Sequence, residues 1–287
     1  MQNDKRALKL YLIIVLVASI VIETIWIAYG EKAAQAGISS LLMFVPFIAA
    51  LVVGRKYYKK QRSLGFLRFK PVFVIVAILL PFIYFGLSYG TYWLSSKGSY
   101  VGNLNALIEY AATYSQNVSG KTAIIISLII TLPVTLITAL GEEAGWRGLM
   151  YPVMQRLWSW KKAIMISGGV WAVWHLPLVI SGVYLPGTAM VYTIPALILE
   201  VFALTVIITW LRVKSNSVWP AIVFHAAHNY FDQIIFQSLT SNANSTYFVG
   251  EKGIISIAIT AIIAVLILVF DRAVFSKTPT CPTSNQI

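Results

Sequence analysis

Apolar residues along this chain come in long runs separated by short polar segments. A membrane-spanning helix needs about 20 such residues. Eight runs qualify, at roughly 8–29, 38–54, 71–95, 122–146, 163–182, 188–211, 217–238 and 253–271. The alternating segments of about ten residues that build a membrane barrel are absent. The pattern predicts an all-α fold: a polytopic membrane helix bundle of eight transmembrane helices, forming a single integral membrane domain over 1–287. The first run is too long for a signal-peptide core and has no small-residue cleavage site, so it reads as a retained span.

Charge sets the orientation. With the N-terminus inside, all but four of the 22 Lys and Arg fall in inner segments; the exceptions are Lys32, Lys97, Lys121 and Lys252. Basic residues collect on the cytosolic side, so both termini are expected there. Composition agrees: 58% of residues are hydrophobic and 11% charged, against about 25% charged in soluble domains. The net charge of +12 lies in short loops, which points to lipid headgroups and excludes a nucleic-acid partner. Cys281 is the one cysteine, so no disulfide framework or thiolate metal cluster forms within one chain. It is not a prenylation site either, because the residue fourth from the end is Ser284. The basic segment 55–70 carries Leu64, Phe66, Leu67 and Phe69 and is expected to lie on the cytosolic leaflet. Residues 96–120 form the longest outer loop, amphipathic near 104–114, and Asn117 and Asn244 sit in sequons on outer loops.

An ionisable group inside a span costs a few kcal/mol or more and usually has a reason. Of ten acidic residues, Glu23, Glu142, Glu143, Glu200 and Asp232 lie in or beside predicted spans, as do all three histidines, His175, His225 and His228. Glu143 and Arg147 are spaced i,i+4, so they share a helix face and can pair. Trp171 and His175 have the same spacing, as do His225 and Asn229. At 1.5 Å per residue, His225 lies about 14 Å and His175 about 20 Å into their spans, with Glu142 about 8 Å from its cytosolic end. A shared site would sit in the cytosolic half of the membrane. Each pair taken alone also reads as interhelical glue. His228 lies about 100° round the helix from His225, which suits either a site rim or packing. Glu23, Glu200 and Asp232 read as structural or interfacial, and nothing in the sequence accounts for Glu200.

Three clusters in order carry a resemblance. Gly141-Glu142-Glu143-Ala144-Gly145-Trp146-Arg147-Gly148 resembles the EExxxR motif of the CPBP family (CAAX protease and bacteriocin-processing, or ABI), related to Ras-converting-enzyme-type CAAX prenyl endopeptidases. Trp171 to His175 matches its second motif, an aromatic residue with histidine four later, though phenylalanine is commoner at the first position. His225 to Asn229 matches its third, HxxxN. The resemblance covers roughly 120–235, the expected catalytic core, and fits eight spans with the motifs on the fourth, fifth and seventh. It implies an intramembrane endopeptidase in a prokaryotic cell membrane, open to the cytosolic half. Its substrates would be membrane-tethered peptides or lipidated proteins, such as prenylated C-termini or bacteriocin and pheromone precursors. The catalytic set it implies is Glu142, Glu143, Arg147, His175, His225 and Asn229.

The chemistry is consistent with that set. Peptide hydrolysis in a membrane needs an activated water, a donor to the oxyanion and a proton for the leaving amine. Arg147 can pair with Glu143, which leaves Glu142 as the base, and the resemblance implies the same. By the same resemblance His175 shares in activating the water, while His225 and Asn229 donate to the oxyanion. No cofactor is required on this reading. Zinc held by Glu142, His175 and His225 is the second reading, since two histidines and a glutamate form a known catalytic set. A GxSxG-like nucleophile, HExxH and GxGD are all absent. Two other functions stay open: a non-proteolytic relative acting in immunity or as a scaffold, and a small transporter. The inverted repeats and paired helix breaks of the latter are not found.

Overall fold

The computed structural model describes residues 1–58, 64–97, 99–102, 120–241 and 244–277. Residues 59–63 of the basic segment, the stretch near 104–114, Asn117 and Cys281 lie outside the described residues. The described chain is helical, and its β-structure is limited to one bridge, Tyr100 with Thr240. The order is α1 (Gln2–Tyr29), α2 (Glu31–Gln35), α3 (Ile38–Tyr57), α4 (Pro71–Ser95), α5 (Gly120–Gly145), α6 (Tyr151–Leu157), α7 (Trp160–Ile180), α8 (Met190–Ser215), α9 (Trp219–Asn229), α10 (Ser245–Phe248) and α11 (Ile254–Phe270). Two π-helical turns follow motif-bearing helices: Trp146–Met150 joins α5 to α6, and Tyr230–Phe236 extends α9.

Among the described residues six helices are long and apolar enough to cross a membrane: α1, α3, α4, the continuous stretch Ile124–Leu157, α7 and α8. The chain is an integral, multi-pass membrane protein. The seventh and eighth expected spans correspond to α9 with its π-turn and to the shorter apolar helix α11. Large apolar side chains such as Leu16, Ile129, Val191 and Val269 face outward, the inversion that lipid as solvent permits.

The bundle is centred on α9, which packs against α4, α5 and α8, while α3 lies between α1 and α5. Glycine explains how closely α3 and α5 approach. A Cβ on Gly141 would lie 2.7 Å from the Met43 carbonyl oxygen, and one on Gly145 would lie 2.4 Å from the Pro46 carbonyl carbon. Small residues four apart let backbones touch in membranes.

One expectation about boundaries changes. The fourth span was expected to end at 146, with Arg147 and Arg156 in a loop, but the helix continues through the π-turn to Leu157. The reason is local: Arg147 is neutralised by Glu143 within the helix, so its charge does not force an exit to water. Helix α3 runs on to Tyr57, Leu64 is buried in a turn, and Leu67 and Phe69 are exposed.

Candidate active site

The two neighbouring glutamates at the end of α5 point to different partners. Glu142 Oε2 accepts hydrogen bonds from Trp171 Nε1 of α7 (2.9 Å) and Trp146 Nε1 (3.3 Å). Glu143 Oε1 accepts from Arg147 Nη1 and from His225 Nδ1 of α9, each at 2.9 Å. All three residues of that second layer are buried, and the Arg147 guanidinium also lies 4.3 Å over the Trp171 ring. Glu143 Oε2 has no hydrogen-bond partner among the described residues.

The π-turn shapes this layer. Tyr151 N–H bonds back five residues to the Trp146 carbonyl. Pro152 then has no N–H to offer the next carbonyl, that of Arg147. Buried Arg212 of α8 supplies the donor, from Nε at 3.1 Å. The motif helix is thereby tied to α8.

His175 Nδ1 lies 2.8 Å from the Trp171 carbonyl. A carbonyl only accepts, so Nδ1 carries the proton and Nε2 of a neutral ring is left as an acceptor. The ring stacks on Tyr184, at 5.6 Å and 27°, and meets Trp174 edge-on. His225 stands edge-to-face with Trp171 at 5.7 Å. Trp171 therefore touches Glu142, Arg147, His175 and His225. Its N–H makes a bond that the commoner phenylalanine of the second motif would lack.

Glu142, His175, His225 and Asn229 all line one cavity of about 440 Å³. Glu143 and Arg147 do not line it. The space is far larger than the ~30 Å³ share of one water and can take a segment of peptide. His228 has both of its expected roles, since it lines the cavity and its Nδ1 bonds the Tyr84 hydroxyl.

The remaining intramembrane acids also have places. Asp232 is structural: it accepts from Tyr89 (2.6 Å), Gln237 (3.1 Å) and the Glu251 N–H (3.2 Å). Glu200 accepts from Thr260 of α11 at 2.6 Å, the partner that the sequence left unidentified. Glu23 is buried with Oε1 unpartnered among the described residues.

On the zinc reading the ligand atoms would be His175 Nε2, His225 Nε2 and Glu142 Oε1, since the Nδ1 atoms of the two histidines are engaged by the Trp171 carbonyl and Glu143, and Glu142 Oε2 by two indoles. Among the described residues no three His, Cys, Asp or Glu side chains are placed to hold one ion.

Residues 124–231, which contain all three motifs, match the family described as Type II CAAX prenyl endopeptidase Rce1-like. This core is similar to the Rce1-like family. That match bears out the resemblance read from the motifs, and it ends within the π-turn that follows Asn229. CAAX prenyl protease 2 of Methanococcus maripaludis is 27% identical over 173 residues, 58% of this chain and 60% of that protein. The chain thus matches less than two thirds of this relative's length. That similarity supports a peptidase at the level of the family. Sequence reasoning missed Trp146, Tyr84 and Tyr184 as supports of the site. The Gly141/Gly145 spacing was the available signal for the close approach of α3 to α5 beside Trp146.

Proposed function

We propose that this chain is an intramembrane endopeptidase in which Glu142 activates the attacking water, acting on membrane-tethered peptides or lipidated protein C-termini. The observation that carries the reading is the division of labour between the two glutamates. Glu142 shares a cavity wall with His175, His225 and Asn229, whereas Glu143 turns away to Arg147 and His225. Glu142 Oε1 makes no hydrogen bond among the described residues and is available to a water in the cavity. As the water oxygen bonds the scissile carbonyl carbon, its proton passes to Glu142 and then to the leaving nitrogen as the C–N bond breaks. His175 Nε2 orients that water. Asn229 and His225 Nε2 donate to the oxyanion, and the histidine does so in its imidazolium form, opposite the Glu143 carboxylate. Residues 120–235 act as the catalytic core.

The test is cleavage of a lipid-anchored peptide by purified protein after exhaustive chelation. Wild type is expected to cut. Glu142→Gln is expected to lose about 10²–10⁴-fold, the usual contribution of a positioned base, because an amide cannot take the water's proton. Retained activity in that variant defeats the reading. Chelator-sensitive activity restored by Zn²⁺ would convert the same residues to ligands.

We further propose eight spans, with both termini and the active site on the cytosolic side, as the basic residues direct. Thiols introduced in 64–70 should then label from that side alone. Labelling of 96–120 from the cytosolic side overturns the orientation.

A further inference from the structure

The cavity has a second carboxylate wall that the hydrolytic machinery does not use. Glu200 of α8 and Glu251, between α10 and α11, line the same space as Glu142. Glu200 is 2% exposed; its Oε2 is taken by Thr260, but Oε1 has no hydrogen-bond partner among the described residues. Glu251 is half-buried at the edge and accepts from Gln233 Nε2 (2.6 Å) and from the Tyr184 hydroxyl. No Lys or Arg lines the cavity among the described residues. Two basic groups nearby are engaged elsewhere: Arg147 with Glu143, and Lys252 with the carbonyls of Leu185 and Pro186.

A chain of net charge +12 therefore encloses a cavity bearing three carboxylates and no cation of its own. Low-dielectric walls concentrate that field and select the sign of what enters. A buried carboxylate oxygen left without a donor is costly, by more than the 1–3 kcal/mol of a neutral group. Thr260 gives Glu200 one hydrogen bond and no counter-charge. A ligand that brings its own cationic donor removes that cost on binding.

We propose that Glu200, supported by Glu251, forms a subsite for a cationic substrate group, so that peptides carrying Lys or Arg beside the scissile bond are preferred over neutral or acidic ones. The inference rests on the proteolytic reading above and specifies its substrate class. It also sets this cavity against a segment that buries a free C-terminal carboxylate next to Glu200.

The experiment uses the full chain in detergent micelles and three lipid-anchored fluorogenic peptides that differ at one position, Lys, Gln or Glu. Wild type should rank kcat/KM as Lys over Gln over Glu, with about 10-fold between the first two, the lower end for a hydrogen bond to a charged group. Glu200→Gln should collapse the Lys/Gln ratio towards one, mainly through KM. Glu251→Gln, at the cavity edge rather than in a span, should shrink the same ratio and keeps the test alive if the first variant fails to fold. Equal cleavage of all three peptides, a preference for Glu, or a ratio untouched by both variants overturns the proposal. Binding of the same peptides to Glu142→Gln by fluorescence anisotropy separates the two readings. Lys-selective binding without cleavage by wild type leaves the subsite standing and removes the protease; charge-blind binding removes the subsite.

Discussion

Along one wall of the cavity, α5 and α7 hold Glu142 between two indole N–H groups, with a buried Glu143–Arg147–His225 layer behind it. Along another, α8 carries Glu200 with one oxygen on Thr260 and the other unpartnered among the described residues. Both are buried carboxylates on apolar helices, yet one is embedded in donors and the other is not. The first arrangement fixes geometry in advance, which is what a group that must meet a transition state requires. The second keeps an interaction in reserve, which is what a group that must recognise a ligand requires. Burial alone does not distinguish chemistry from recognition, and each carboxylate keeps one oxygen free; what differs is the number of donors that fix the other, two indole N–H groups on Glu142 against one hydroxyl on Glu200.

The largest effect should come from breaking the layer behind Glu142. Arg147→Met removes the guanidinium from a fully buried Glu143 and from the face of Trp171. Breaking one partner of a buried pair costs about 3–5 kcal/mol, and thermal unfolding in detergent should show it as a large fall in Tm. Adding Glu143→Leu should recover much of the loss, because the buried carboxylate is gone and His225 can then stay neutral. If the single variant unfolds at the wild-type temperature, the layer is not the rigid backing described, and the contrast between the two walls fails.

A sharper cut is Trp171→Phe. It keeps an aromatic ring, and phenylalanine is the commoner residue of the second motif, but it deletes the N–H that Glu142 accepts at 2.9 Å. Hydrogen bonds to charged groups contribute about 1.5–3 kcal/mol. The expected outcome is about 10–100-fold lower kcat with the fold intact, read on the anchored peptide. An unchanged kcat would mean that the ring, not its donor, supports the site.

These partners mark the limit of what the sequence reveals. Glu143–Arg147 was legible because both residues sit on one helix four apart, where spacing alone makes them neighbours. The three motifs were legible for the same reason, each being a single-helix pattern. Trp171–Glu142 and His225–Glu143 were not, since they join residues 29 and 82 apart and depend on how helices rotate against one another. Nor was Glu200–Thr260, whose partners sit on two featureless apolar runs, α8 and α11. The π-turns after Arg147's helix and after Asn229 were invisible because hydropathy reports that a helix is present, not whether its bonds span four residues or five. The predicted end of the fourth span erred there, where an arginine read as a boundary proved to be neutralised inside the helix.

The smallest effect calibrates the other two, because it comes from a carboxylate in neither wall. Asp271, just past α11, accepts from Lys214 Nζ and from Trp210 Nε1 (2.8 Å), with about a third of each charged side chain exposed. The hydrogen bond from Lys214, then that from Trp210, hold its carboxyl below the usual carboxylate range. A depressed folded-state pKa means stability that is present above the unfolded value of about 3.9 and lost as pH falls through the folded value. Solvent screening limits the pair to about 0–1 kcal/mol. Asp271→Asn should therefore lower Tm slightly and by a constant amount from pH 5 to 8. The gap from wild type should close only below about pH 4, where the wild-type carboxylate itself is being protonated. A gap as large as that of Arg147→Met would show that exposure does not govern the worth of a charge in this bundle, and would remove the ground for treating the buried walls as different in kind from its surface.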